Sequence, residues 1–137
     1  MTIEKDPHGM NQHDQGAKLD LGKLSASLLG NFANALEEVA RVATYGAKKY
    51  TREGWQYVPN AKERYEDAKF RHLLKYHQGE VVDADSSCFH RACEIWNSLV
   101  VLELILRDIK DDEEIAKEEA MINEITNEWK VRRDWLI

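Results

Sequence analysis

Only two cysteines, two prolines and no long apolar run occur in this 137-residue sequence, and its 19 Lys and Arg are outnumbered by 25 Asp and Glu. So few cysteines cannot staple a small secreted fold. Cys88 and Cys93 sit on what reads as one helix and point to different faces, which predicts buried free thiols rather than a pair or a zinc pinch. No stretch approaches the roughly 18 apolar residues of a membrane span, and the opening MTIEKDPHGMNQHDQGAK lacks a signal-peptide core. A soluble cytoplasmic protein is expected. The net charge of -6 argues against polymeric nucleic acid as partner. A partner bearing phosphates then needs a local basic pocket or a bridging metal ion. Strand-like alternation and internal repeats are missing too.

What is present is 43% hydrophobic content, enough for one compact domain. Residues 1–16 are polar and aperiodic and read as a mobile tail before a single all-α domain over 17–137. Leu28, Leu29, Phe32, Leu36, Val39 and Ala43 recur at helical spacing, predicting a first helix from Leu24 to about Thr44, with Gly46 ending it. A long loop over 45–60 follows. Asn60 and Glu63 form a capping-box-like start for a second helix ending near Gly79, whose inward face is Tyr65, Ala68, His72 and Tyr76. A third helix, about Ser87 to Asp108, carries Phe89, Ala92, Trp96, Leu99, Val100 and Leu106. A fourth, about 112–136, carries Ile115, Ile122, Ile125, Trp129 and Leu136, a stripe fit to dock on its own bundle or on a second subunit.

If sequential helices pack antiparallel, equal rise per residue brings Glu38, Asp67 and Asn97 level. Glu37, Glu38, Asp67, Glu94 and Asn97 then approach one height of a bundle, an oxygen-rich set that suits Mg²⁺ or Mn²⁺. Around them lie the cations Lys18, Lys23, Lys48, Lys49, Arg64 and Arg71, which a polyphosphate needs, and Tyr50 and Trp55, which offer faces to a base. The bland alternative leaves Glu37 and Glu38 in solvent, Asp67 paired with Arg64 or Arg71, and the aromatics capping the bundle. His72 reads as a hydrogen-bonded core histidine. His90 stays open between a substrate contact and a helix-start polar residue, and Glu80 and Asp83 rank as weaker ligand candidates because they sit in a turn.

The blocks GAKLDLGKL (16–24), ALEEVARVATYGAKKY (35–50), RYEDAKFRH (64–72), GEVVDADS (79–86) and HRACEIWNSLVVLEL (90–104) together resemble the all-α MazG-like nucleoside triphosphate diphosphohydrolases, in particular the small phage dATP/dGTP diphosphohydrolases. The resemblance spans roughly residues 16–106. It implies a four-helix-bundle protomer, assembled as a homodimer or homotetramer, that splits a purine nucleoside triphosphate (dGTP and/or dATP) into monophosphate and pyrophosphate with Mg²⁺ or Mn²⁺. The family's Glu-Glu-x-x-Glu and Glu-x-x-Asp patterns match here at Glu37, Glu38 and Asp67, while Arg41 and Arg64 replace two glutamates. Glu94 or Asn97 would supply the missing oxygen, and Glu37 or Glu38 would orient or deprotonate the attacking water. In phages with diaminopurine DNA, such relatives act on dGTP.

Two other readings compete. An HD-type triphosphohydrolase needs a His-Asp dipeptide at its metal, and the one available, His13-Asp14, falls in the polar tail. A non-catalytic helical interaction module would not change its melting temperature with Mg²⁺ or Mn²⁺.

Overall fold

The computed structural model describes residues 3–111 and 115–135. Among these residues are four α-helices and no β-strand, so the protein is all-α. The chain divides into two compact units, Met1–Asn34 and Ala35–Ile137.

In the first unit, the segment expected to be a featureless tail is wound around one carboxylate. Asp6 is 6% exposed. One of its oxygens accepts from the His8 and Met10 amides at 2.7 and 3.3 Å, and the other from the Lys18 amide at 2.8 Å. A short aspartate side chain that can bond its own backbone makes such turns without periodicity. Leu28, Leu29 and Phe32, the expected start of the first helical stripe, lie instead on a 3₁₀ stretch, Ala26–Phe32, and are exposed. A three-residue repeat does not gather a 3.6-residue stripe onto one face.

The α-helix proper, α1, is Ala33–Lys49. Gly46 does not stop it: the Gly46 carbonyl accepts the Tyr50 amide at 3.0 Å and carries the turn on. Helix α2 is Ala61–His77, α3 is His90–Asp111 and α4 is Ile115–Asp134. Asn60 precedes α2 in the left-handed region, φ 53°, and makes no side-chain cap; Asn is one of the few residues that tolerate that conformation. Gly79, φ 96°, closes α2 by donating its amide to the Tyr76 carbonyl, as expected of a glycine after a helix.

Helices α2 and α3 pair antiparallel. Lys62 meets Asp108 at one end, 2.5 Å, and His72 meets His90 at the other. The turn between them is closed by an isolated bridge between Val82 and Phe89, with the Asp83 amide on the Cys88 carbonyl at 2.8 Å. Val39 and Val42 of α1 pack on Cys88, Ala92 and Cys93, with Trp96 against them. Each buried valine stabilises the fold by about 1.5–3 kcal/mol. Both cysteines are free and buried, and burial pushes the Cys93 thiol up to about 12.

Helix α3 has two apolar faces. His90, Cys93, Asn97 and Val100 are buried, whereas Ile95, Leu99, Leu102 and Leu106, also at helical spacing, are exposed. Ile125 and Trp129 of α4 are exposed as well, so of the two expected docking partners for that stripe, its own bundle does not cover them. Leu136 and the side chains of Ile115 and Ile122 lie outside the described residues.

Candidate active site

A cleft of about 990 Å³ opens where the last turns of α1 face the first half of α2. Ala43 and Ala47 line it from α1, Tyr50 from just past the end of that helix, and Arg64, Asp67 and Arg71 from α2. Arg52 and Trp55 come from the loop between them and Trp96 from α3. Spacings of three, four and seven residues put each helix's contribution on one face.

The aromatic wall is fastened from behind. Arg107 of α3 donates to the Gln56 side-chain carbonyl at 2.6 Å, and its guanidinium lies 5.1 Å from the Trp55 ring. Nothing local in the sequence marks this contact, because it joins residues 51 positions apart. Tyr50 and Trp55, the expected base-binding pair, both line the cleft, and Tyr65 and Trp96 join them. Trp96 reads as core in the sequence and is core on one side only. Burial, chiefly, raises the Tyr65 hydroxyl above its usual range, so it remains a hydrogen-bond donor.

Of the expected phosphate-binding cations, Arg64 and Arg71 line the cleft, with Arg52 added. Arg64 donates to the Pro59 carbonyl at 3.2 Å, and Arg71 has no ion-pair partner among the described residues. Lys48 and Lys49 stand outside it, with the Lys49 ammonium over the Tyr45 and Tyr50 rings at 5.8 and 5.4 Å. Lys18 and Lys23 belong to the first unit and pair there with Asp20 and Glu4.

The expected metal set does not assemble. Glu37 and Glu38 both pair with Arg41, at 3.1 and 3.3 Å, and neither lines the cleft. The helix end differs from the expected one: α1 runs five residues past Thr44, to Lys49, and it is the part of α1 from Ala43 onward, not Glu37 or Glu38, that lines the cleft with Asp67. Six residues of helix put Glu37 roughly 9 Å along the axis from Ala43. Asn97 is 5% exposed and donates its amide to the Cys93 carbonyl of its own helix at 2.8 Å. Glu94 is held through one oxygen by Arg91 at 3.3 Å, and its other oxygen is buried without a hydrogen-bond partner. Among the described residues no three of Glu37, Glu38, Asp67 and Glu94 bring their oxygens within 4.8 Å of one another. Of the five residues, Asp67 alone lines the cleft.

His72 is half-buried and hydrogen-bonded: its Nδ1 lies 2.8 Å from His90 Nδ1. Burial, chiefly, holds the His72 imidazole below its usual range.

The cleft thus gathers aromatic side chains, Arg52, Arg64 and Arg71, and the carboxylates Glu53 and Asp67. Residues 13–114 match the family model of the dATP/dGTP diphosphohydrolase N-terminal domain, and the chain belongs to that family. No curated protein and no solved structure matches it.

Proposed function

We propose that this protein hydrolyses a purine deoxynucleoside triphosphate, dATP or dGTP, to the monophosphate and pyrophosphate, as a step in remodelling a phage nucleotide pool. What carries the reading is that one cleft holds stacking faces, Tyr50 and Trp55, next to Arg52, Arg64 and Arg71. The base lies against the aromatic wall, and the phosphates run along the α2 face, where guanidinium groups match phosphate geometry. In this reading Asp67, on the α2 face with Arg64 and Arg71, accepts a proton from water. The water oxygen bonds to the α-phosphorus, the bond from that phosphorus to the bridging oxygen breaks, and pyrophosphate leaves with the electron pair. The arginines offset the growing charge. Mg²⁺ or Mn²⁺ belongs to this reading as the counter-ion that the triphosphate brings with it.

The same reading makes the active form a homo-oligomer. Ile95, Leu99, Leu102 and Leu106 form an exposed apolar stripe along α3, of the kind a second copy covers.

The test is product analysis with eight nucleoside triphosphates and Mg²⁺ or Mn²⁺, assaying phosphate and pyrophosphate separately. Monophosphate plus pyrophosphate from dATP or dGTP, lost in Asp67→Asn, supports the reading. Release of intact triphosphate revives the HD-type chemistry, and no turnover favours an interaction module.

A further inference from the structure

A second cluster of chemically competent side chains lies at the other end of the α2–α3 hairpin, outside the residues that line the cleft. His72 of α2, Asp83 of the connecting turn and His90 at the start of α3 bring one donor atom each within 4.8 Å of one another. We propose that these three residues bind a divalent transition-metal ion of the zinc class through the two Nδ1 atoms and an Asp83 oxygen.

Three observations converge on it. First, the imidazoles meet through like atoms, Nδ1 to Nδ1 at 2.8 Å. Without an ion one ring must donate to the other, whereas an ion uses both lone pairs at once. Around a tetrahedral ion at Zn–N distances of about 2.0–2.1 Å the nitrogens stand roughly 3.3 Å apart, a small opening that the half-buried His72 can supply.

Second, His90 is 1% exposed, and its Nε2 is buried with no hydrogen-bond partner. Glu80 Oε2 lies 3.7 Å away, beyond hydrogen-bond range but on the correct side. If Nδ1 holds a metal, Nε2 carries the proton and points at this carboxylate, the outer arrangement that metal-bound histidines regularly show. A bare Nδ1–Nδ1 contact explains neither the buried orphan atom nor the carboxylate behind it.

Third, Asp83 is already aimed. Its Oδ2 accepts from the Ser86 amide at 3.0 Å and the Ser86 hydroxyl at 2.6 Å, which fixes the carboxylate and leaves Oδ1 available. Two imidazoles and one carboxylate select zinc-like ions over Mg²⁺ or Ca²⁺, which prefer all-oxygen shells. The ion would join α2, the turn and α3 at a single point, next in sequence to Arg71 of the cleft.

The experiment uses the full chain, stripped with chelator and free of nucleotide. Equilibrium dialysis against Zn²⁺ or Co²⁺, with metal analysis, visible absorption of the Co²⁺ form and thermal melts, is repeated on His72→Gln, Asp83→Asn and Glu80→Gln. One equivalent of ion, Co²⁺ bands without a thiolate charge-transfer band, and a raised melting temperature are expected. Affinity should fall about ten- to a hundredfold in Glu80→Gln and further in the two ligand variants. His72→Gln and Asp83→Asn alter half-buried side chains, and circular dichroism checks that they fold. Absence of saturable binding, equal binding in the folded variants, or a thiolate band marking Cys88 or Cys93 as the ligand would each overturn the assignment. Because no nucleotide is present, the result is independent of the hydrolysis assay.

Discussion

At the scale of single residues, Asp67 and Glu38 separate two descriptions of the site. If catalysis uses the carboxylate in the cleft, Asp67→Asn lowers kcat by about 10²- to 10⁴-fold, the usual contribution of a general base, while Glu38→Gln changes it far less. A larger loss in Glu38→Gln, measured by pyrophosphate release, would return the water-activating role to the Glu37–Glu38 pair. Cys88 and Cys93 should stay unreactive toward a thiol reagent at pH 8 until the chain unfolds, since both are buried and the Cys93 thiol holds its proton up to about pH 12. Asp6 gives a pH test. The Lys18 amide above all, with the His8 and Met10 amides, holds its carboxyl below the ordinary 3.8 against the opposing effect of burial. Its contribution is present above pH 3.8 and is lost as pH falls through the lower folded value. Hydrogen-exchange protection of the His8 and Lys18 amides, relative to the intrinsic rate at each pH, should therefore fall on acidification below pH 3.8, and in Asp6→Asn that fall should be absent.

At the scale of elements, α2 and α3 were legible from apolar spacing, and both ends of α2 and the start of α3 fall within about three residues of the expected ones. The inward face of α2, with His72 on it, follows from the same period. What misled was Gly46: glycine commonly ends a helix, but here packing of Val39 and Val42 and the onward bond to Tyr50 outweigh its weak propensity. Asn97 shows a different gap, because its height was nearly right while its amide turned into its own helix. Contacts such as Arg107 with Gln56 were illegible, since no local pattern encodes a meeting across 51 positions. Replacing Arg107 with Ala should leave the fold intact and raise KM for the triphosphate about tenfold, equivalent to about 1.4 kcal/mol, with a smaller effect on kcat. Steady-state kinetics beside circular dichroism would check it.

At the scale of the whole molecule, the acidic balance and the absence, among the described residues, of any helix able to cross a membrane leave apolar exposure as the notable surface feature. The stripe on α3, with Ile125 and Trp129 on α4, predicts a solution mass that is a multiple of 15.9 kDa. Light scattering on a sizing column should show it, and Leu99→Asp combined with Leu102→Asp should return the monomer. A monomeric wild type at micromolar concentration would contradict the oligomer.

The Arg107–Gln56 bond also bears on how a ligand is received. Residues Gly54–Tyr57 are tied to α3 before any nucleotide arrives, so the entropy of ordering that wall is settled during folding rather than at encounter. Calorimetry should then find association accompanied by the modest negative heat-capacity change of covering a ring, without the large one that marks a segment folding around its guest.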